Sequence, residues 1–88
     1  MIKIKDGFVL RKVADNYLVV AVGGTVKDFN GIINLNETGA FLWEILAKGA
    51  TEEETVKKLT EEYDVTEETA KADVAKFIEK LKSANLLK

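Results

Sequence analysis

The chain has 88 residues, of which 47% are hydrophobic, a formal net charge of −2, and neither cysteine nor histidine. This length predicts one small domain over residues 1–88. The absence of cysteine excludes disulfide bonds and thiolate zinc sites, and the absence of histidine removes the commonest general base and metal ligand.

The charge is distributed unevenly along the chain. Residues 36–88 carry eight Lys/Arg against twelve Asp/Glu, so this part is acidic. Binding of phosphates needs a positive face, which argues against a nucleic-acid partner. The N-terminus has no apolar run of signal-peptide length, and no run approaches the roughly 18 apolar residues of a membrane span. We therefore expect a cytoplasmic protein without a membrane partner.

The first part of the chain has the composition of β-strands. Phe8–Val13 and Tyr17–Val22 are rich in valine, leucine and aromatic residues, and the letters ADN between them are typical of a turn, which predicts a β-hairpin. Gly23–Gly31 is glycine-rich and polar and is expected to be a loop or an irregular ribbon. Ile32–Leu35 is then predicted to be a third short strand.

Three helices are expected after the strands, each with a recognisable N-cap at Asn36, Thr51 or Thr66. Glu54 completes a capping box with Thr51, and Gly49 supplies a left-handed stop for the first helix. Apolar residues then recur at helical spacing. The three stripes are Thr38, Phe41, Leu42, Ile45 and Leu46; Val56, Leu59 and Tyr63; and Ala70, Val74, Phe77, Ile78 and Leu81.

The order of elements is β-β-β-α-α-α, with short connections. Asn85 is expected at the left-handed position that ends the third helix, with Leu86 packing back on the last turn. Each helix has one apolar stripe to bury, and a cluster of three helices packed against a small sheet buries all three stripes. The prediction is an α+β fold, winged helix-turn-helix-like, with three antiparallel strands at the N-terminus followed by three helices.

No group of residues has the pattern of a catalytic or metal site. The many carboxylates lie in first helical turns or at i,i+4 from lysines, as expected of solvated helix faces. Ser83, the single serine, has no histidine to activate it. We expect neither a cofactor nor catalysis by this chain alone. Trp43, on the flank of the first helix, is interpreted as a structural anchor.

The third strand and the third helix are the candidate binding elements. A small sheet has an open edge, whose unpaired N–H and C=O groups can accept an extended peptide as another strand. Phe77 and Ile78 are adjacent, so they cannot both point at one spot in the core. Either one of them faces a groove beside the strand, or the whole stripe is core.

The stretch INLNETGAFLWEIL, with LTEEYDV and DVAKFI downstream, resembles the PqqD family of precursor-peptide recognition elements, over roughly Gly7 to Leu87. The resemblance implies a winged helix-turn-helix-like domain without catalytic activity. It also implies binding of the leader segment of a ribosomally made precursor peptide. The leader would add to the third strand, lie against the third helix, and be presented to a modifying enzyme, often a radical SAM enzyme.

The resemblance also implies particular site residues. Phe77 would offer an apolar pocket, and Lys76 and Lys80 would pair with acidic residues of the leader. The strand side of the groove would be lined by Ile32, Ile33 and Asn34, and the helix side by Asp73, Phe77, Lys80 and Leu81. The resemblance does not specify the pathway, so pyrroloquinoline quinone synthesis is only one of the pathways that such a domain would serve.

Two alternatives stay open at this point. A DNA-binding winged-helix regulator would need a basic recognition helix, whereas the second helix holds Lys57 and Lys58 among five glutamates. A structural module would instead form a homodimer through its open sheet edge, which does not exclude peptide binding.

Overall fold

A sheet of three strands precedes three helices, in the order that the sequence predicts. The computed structural model describes residues 1–23 and 31–88. The loop expected over Gly23–Gly31 therefore lies, apart from its two end residues, outside the described residues. The strands are β1 (Phe8–Val13), β2 (Asn16–Ala21) and β3 (Ile32–Leu35). The second strand thus begins and ends one residue earlier than predicted.

The sheet is antiparallel, with β2 in the centre and β1 and β3 at its edges. Leu10, Val19 and Ile33 form one cross-strand row, because Leu10 pairs with Val19 and Val19 with Ile33. This row faces the helices, and Val19 is fully buried. Successive residues of a strand point to opposite faces, so the neighbouring row points away from the helices.

Each helix begins directly after a predicted N-cap. The side chains of Asn36, Thr51 and Thr66 accept hydrogen bonds from backbone N–H groups three residues on, and Thr51 and Glu54 form the predicted capping box. Among the described residues, no helix is long and apolar enough to cross a membrane. The helices are α1 (Glu37–Lys48), α2 (Glu52–Glu62) and α3 (Glu67–Ser83).

The end of α3 also forms as predicted. Asn85 has a φ of 59°, in the left-handed region, and the Leu86 N–H donates to the Leu81 carbonyl at 2.9 Å. This bond, with one from the Asn85 N–H to the Lys82 carbonyl, is the Schellman arrangement. Leu86 is 1% exposed and joins the core, so the helix end is held by packing as well as by hydrogen bonds.

The core lies between the inner face of the sheet and the three helices. Trp43 is only 3% exposed, which confirms its interpretation as an anchor. Its ring meets Phe8 edge-to-face, with 6.2 Å between centroids, and so connects α1 to β1. A second edge-to-face pair, Phe41 with Tyr63 at 5.5 Å, connects α1 to the end of α2.

The N-terminal segment, residues 2–5, is an element that the sequence did not predict. The Ile2 N–H donates to the Ala50 carbonyl at 2.8 Å, and the Ala50 N–H donates back at 2.9 Å. Ile4 is 3% exposed, donates its N–H to the Leu46 carbonyl, and forms a bridge with Leu87. The segment therefore fastens the α1–α2 connection to the last residues of the chain.

The hairpin turn contains a strained residue that provides a test of the fold. Ala14 has a φ of 57°, where a side chain costs about 1 kcal/mol and glycine costs little. Because Ala14 is exposed, Ala14→Gly should raise the free energy of unfolding by about 0.5–1 kcal/mol in chemical denaturation. The control Ala72→Gly, at an exposed position inside α3, should lower it by about 1 kcal/mol. Destabilisation by both changes would contradict the turn geometry.

The capping box of α2 should make stability depend on pH. Hydrogen bonds from the Thr51 backbone N–H and hydroxyl lower the pKa of Glu54. A carboxylate whose pKa is lowered by folding stabilises the fold above its unfolded pKa, and this contribution disappears as the pH falls through the folded pKa. The difference in unfolding free energy between the wild type and Glu54→Gln should therefore shrink from neutral pH to about pH 3. An unchanged difference would contradict this role of the carboxylate.

Candidate functional site

A shallow groove of about 330 Å³ separates the start of α1 from the middle of α3, just beyond the end of β3. The family resemblance implied five α3 residues for the binding site, and all of them except Leu81 line this groove. The α1 side was not predicted, except that Asn36 was recognised as a cap. The groove is lined by Asn36, Thr38, Gly39, Leu42, Asp73, Lys76, Phe77 and Lys80.

The helical repeat explains why these α3 residues share one side. Positions separated by three, four or seven residues lie above one another, so Asp73, Lys76 and Lys80 project along the same edge as Phe77. Asp73, Lys76 and Lys80 are exposed, whereas Phe77 is 9% exposed. The groove therefore has an aromatic floor and a charged rim.

Phe77 belongs to both the core and the groove. All five residues of the predicted α3 stripe are buried in one cluster, so the adjacent Phe77 and Ile78 both pack inward. Leu81, which was also expected to line the groove, is 2% exposed and contacts the core instead. Phe77 is the member of the stripe whose ring also reaches the groove.

The three strand residues predicted for the site lie further along the sheet edge. Ile33 is half-buried and packs against the core, whereas Ile32 and Asn34 are exposed on the opposite face. None of the three lines the groove itself, which begins where the strand ends. Among the described residues β3 pairs only with β2, so its other edge is open and leads directly to the groove.

A tight junction at Asn36 joins this open edge to the groove. The Gly39 N–H donates to Asn36 Oδ1 at 2.7 Å, which starts α1 two residues after Leu35 ends the strand. A Cβ on Gly39 would lie 3.1 Å from Asn36 Oδ1 and 3.4 Å from the Leu35 side chain. The absence of a side chain at Gly39 therefore lets the cap and the strand end pack closely. The motif LNETG, residues 35–39, is the part of the sequence that indicated this junction.

The charges of the groove are available to a ligand. Within residues 1–23 and 31–88, the ion pairs are Lys71–Glu67 and Lys88–Asp6, so neither lysine of the groove rim is paired. The first N–H groups of α1 add positive potential at the same place. No group of three acidic residues in the described part of the chain could hold a metal ion. The groove thus combines apolar surface with two lysines that have no ion-pair partner among the described residues, and with the carboxylate of Asp73.

Two other hollows lie away from the sheet edge. One, of about 940 Å³, is larger than the groove and lies between α2 and the start of α3, and the other lies between α1 and α2. Both are open, and charged side chains make up most of their lining. Size alone would favour the larger one, but of these three hollows among the described residues, the groove at Phe77 is the one that adjoins unpaired strand backbone.

Fold and groove together define a small winged-helix-like α+β domain with an open strand edge beside a helix. The sequence profile described as coenzyme PQQ synthesis protein D (PqqD) matches residues 17–87. The chain belongs to the PqqD family, as its sequence motifs suggested. A search of curated proteins gave no significant match.

Two solved structures are similar over nearly the whole chain. The structure of TbiB1 in complex with the TbiA(beta) leader peptide has 26% identity and a TM-score of 0.76, with 98% of this chain and 94% of that chain covered. The structure of lasso peptide synthetase B1 complexed with the leader peptide has 20% identity and a TM-score of 0.76, with 99% and 96% covered. The latter likeness supports the fold alone.

The junction at Asn36 provides a direct test. Asn36→Ala removes the acceptor of the Gly39 N–H, which should lower the free energy of unfolding by about 1 kcal/mol in chemical denaturation. Asn36→Asp keeps an acceptor of the same shape and should stay close to the wild type. An equal loss of unfolding free energy in both variants would mean that the amide group of Asn36 acts through another contact.

Proposed function

We propose that this chain is a non-catalytic adaptor that binds the leader segment of a ribosomally synthesised precursor peptide. The observation that carries the proposal is the open edge of β3, which continues into a groove with an aromatic floor at Phe77. Membership of the PqqD family supports it, as does the likeness to a structure solved with a leader peptide.

The leader would bind as a fourth strand on β3. Backbone hydrogen bonds to an open edge give affinity that depends little on sequence, and side-chain pockets give specificity. Because side chains alternate along a strand, one set of leader residues would lie beside Ile33 and turn toward α3. The other set would lie beside Ile32 and Asn34, on the face that points away from the helices.

The groove would select leader residues by their chemistry. Phe77, packed against the buried Leu42, offers apolar surface to a side chain that enters from the strand end. Lys76 and Lys80, which are exposed and have no ion-pair partner among the described residues, would bind carboxylates. A leader with alternating apolar residues and nearby acidic residues fits this arrangement.

The adaptor would act through effective concentration. A leader held on one protein raises the local concentration of the attached core peptide at an enzyme, provided that the adaptor contacts the enzyme at the same time. The enzyme would supply the chemistry, and a radical SAM enzyme is the type that we propose.

The charges of α3 disfavour the alternative of duplex binding. Neutralising phosphates requires a positive face, and α3, the other helix that could enter the DNA groove, carries no net charge. Four acidic residues on α3 balance its four lysines. The acidic residues are Glu67, Glu68, Asp73 and Glu79, and the lysines are Lys71, Lys76, Lys80 and Lys82.

Charge reversal on the groove rim tests the proposal. The double variant Lys76→Glu and Lys80→Glu should weaken binding of the leader of a candidate precursor peptide by at least fivefold in calorimetry, because two exposed pairs at about 0.5 kcal/mol each are lost. The single variants Lys76→Glu and Lys80→Glu should each weaken binding more than Lys82→Glu, which makes the same charge change on α3 outside the groove. Phe77→Ala is a poorer probe because Phe77 is also a core residue.

A proline scan of the same leader tests the binding mode. Proline removes one N–H, so strand addition predicts that only every second position along the paired segment weakens binding. A helical leader would give a different period. No binding of the leader by the wild-type chain would overturn the proposed function.

A further inference from the structure

The side of the sheet that points away from the helices carries an apolar surface. Val9 pairs with Val20 and Val20 pairs with Ile32, so these three residues form a cross-strand row next to the buried one. We define the outer sheet face by the residues that share this side. These are the apolar residues Val9, Val13, Leu18, Val20 and Ile32, with Arg11, Asn16 and Asn34.

No apolar residue of the outer sheet face belongs to the core. The core cluster takes the alternate residues of the same strands, such as Phe8, Leu10 and Ile33. Ile32 is 60% exposed and Val13 is 53% exposed, whereas Val9, Leu18 and Val20 are half-buried. A solvated face of an antiparallel sheet is normally polar, so a row of valine and isoleucine across three strands indicates a surface that a partner covers.

The charge on this face restricts the partner. Arg11 is the one charged residue that the described strands place there, and it forms no ion pair with any described residue. A complementary surface is therefore apolar and carries a carboxylate opposite Arg11. A second copy of the chain would bring an identical arginine and no carboxylate from this face.

The area of the face shows that it is not a complete interface by itself. Three strands about 4.8 Å apart, with up to six residues at about 3.3 Å each, cover roughly 300 Å². A stable complex buries about 800 Å² on each partner. The face is thus part of a larger interface, and additional surface has to come from beside it.

We propose that the outer sheet face docks the modifying enzyme and that the bound leader completes the docking surface. This inference rests on the proposed function. A leader strand on β3 would continue the sheet, so every second leader residue would join the outer sheet face beside Ile32 and Asn34. The enzyme would then contact the adaptor and the leader across one continuous surface.

This arrangement makes enzyme binding depend on the leader. The adaptor without leader offers only part of the surface, so the enzyme binds the loaded adaptor more tightly. By linkage, the enzyme strengthens leader binding by the same factor. The enzyme would therefore bind mainly to adaptors that carry a leader, and it would dissociate from the adaptor once the leader has left.

The test measures two steps separately, with a candidate precursor peptide and the radical SAM enzyme that modifies it. Arg11→Glu and Val20→Thr change the outer sheet face on β1 and β2, away from the edge that takes the leader. Each should leave leader affinity within twofold in calorimetry. Arg11→Glu should weaken enzyme binding to the loaded adaptor by at least tenfold in biolayer interferometry, and Val20→Thr should weaken it in the same direction.

Lys12→Glu is the matched control, because Lys12 is next to Arg11 on the same strand and lies on the opposite face. If Lys12→Glu weakened enzyme binding as much as Arg11→Glu does, the inference would be wrong. It would also be wrong if neither outer-face variant changed enzyme binding. Neither result would affect the proposed leader binding. A concentration-dependent dimer in sedimentation that Val20→Thr abolishes would assign the face to a second copy and also overturn it. Failure of the leader to bind the wild type would instead reject the proposed function itself.

Discussion

The hydrogen bond from the Gly39 N–H to Asn36 Oδ1 is the interaction on which the arrangement of this domain depends. Asn36 is the one residue between the end of β3 and the start of α1, so the direction of the strand determines where the helix begins. Because α1 packs on α3 through the shared core, the same bond sets the position of the sheet edge relative to the groove. A longer connection at this point would leave the strand edge and Phe77 free to move independently.

Local signals in the sequence determine much of this fold. Asn36, Thr51 and Thr66 were identified as caps because short polar side chains can satisfy the free N–H groups of a first helical turn. Asn85 was identified because few side chains tolerate the left-handed conformation. Each signal depends on residues three or four positions apart, so no knowledge of the tertiary structure was needed, and the structure contains all of them.

Features that depend on packing between distant segments were predicted less well. The rotation of α3 decides that Leu81 enters the core while Lys80 reaches the groove, and periodicity fixes such a rotation only to about one residue. Thr38 and Leu42 line the groove because α1 crosses α3 at a particular place, which no local pattern records. The pairing of Ile2 with Ala50 joins segments almost fifty positions apart, and two isolated residues have no periodicity.

The same N-terminal segment has a consequence for how the domain can be connected to other proteins. The Lys88 N–H donates to the Lys3 carbonyl at 2.9 Å, so the first and last residues run side by side. A chain whose ends meet can be circularly permuted with a short linker, or inserted into a loop of a larger protein without separating the two host segments. The exit point lies beside the α1–α2 connection rather than at β3, which keeps a covalent attachment away from the open edge.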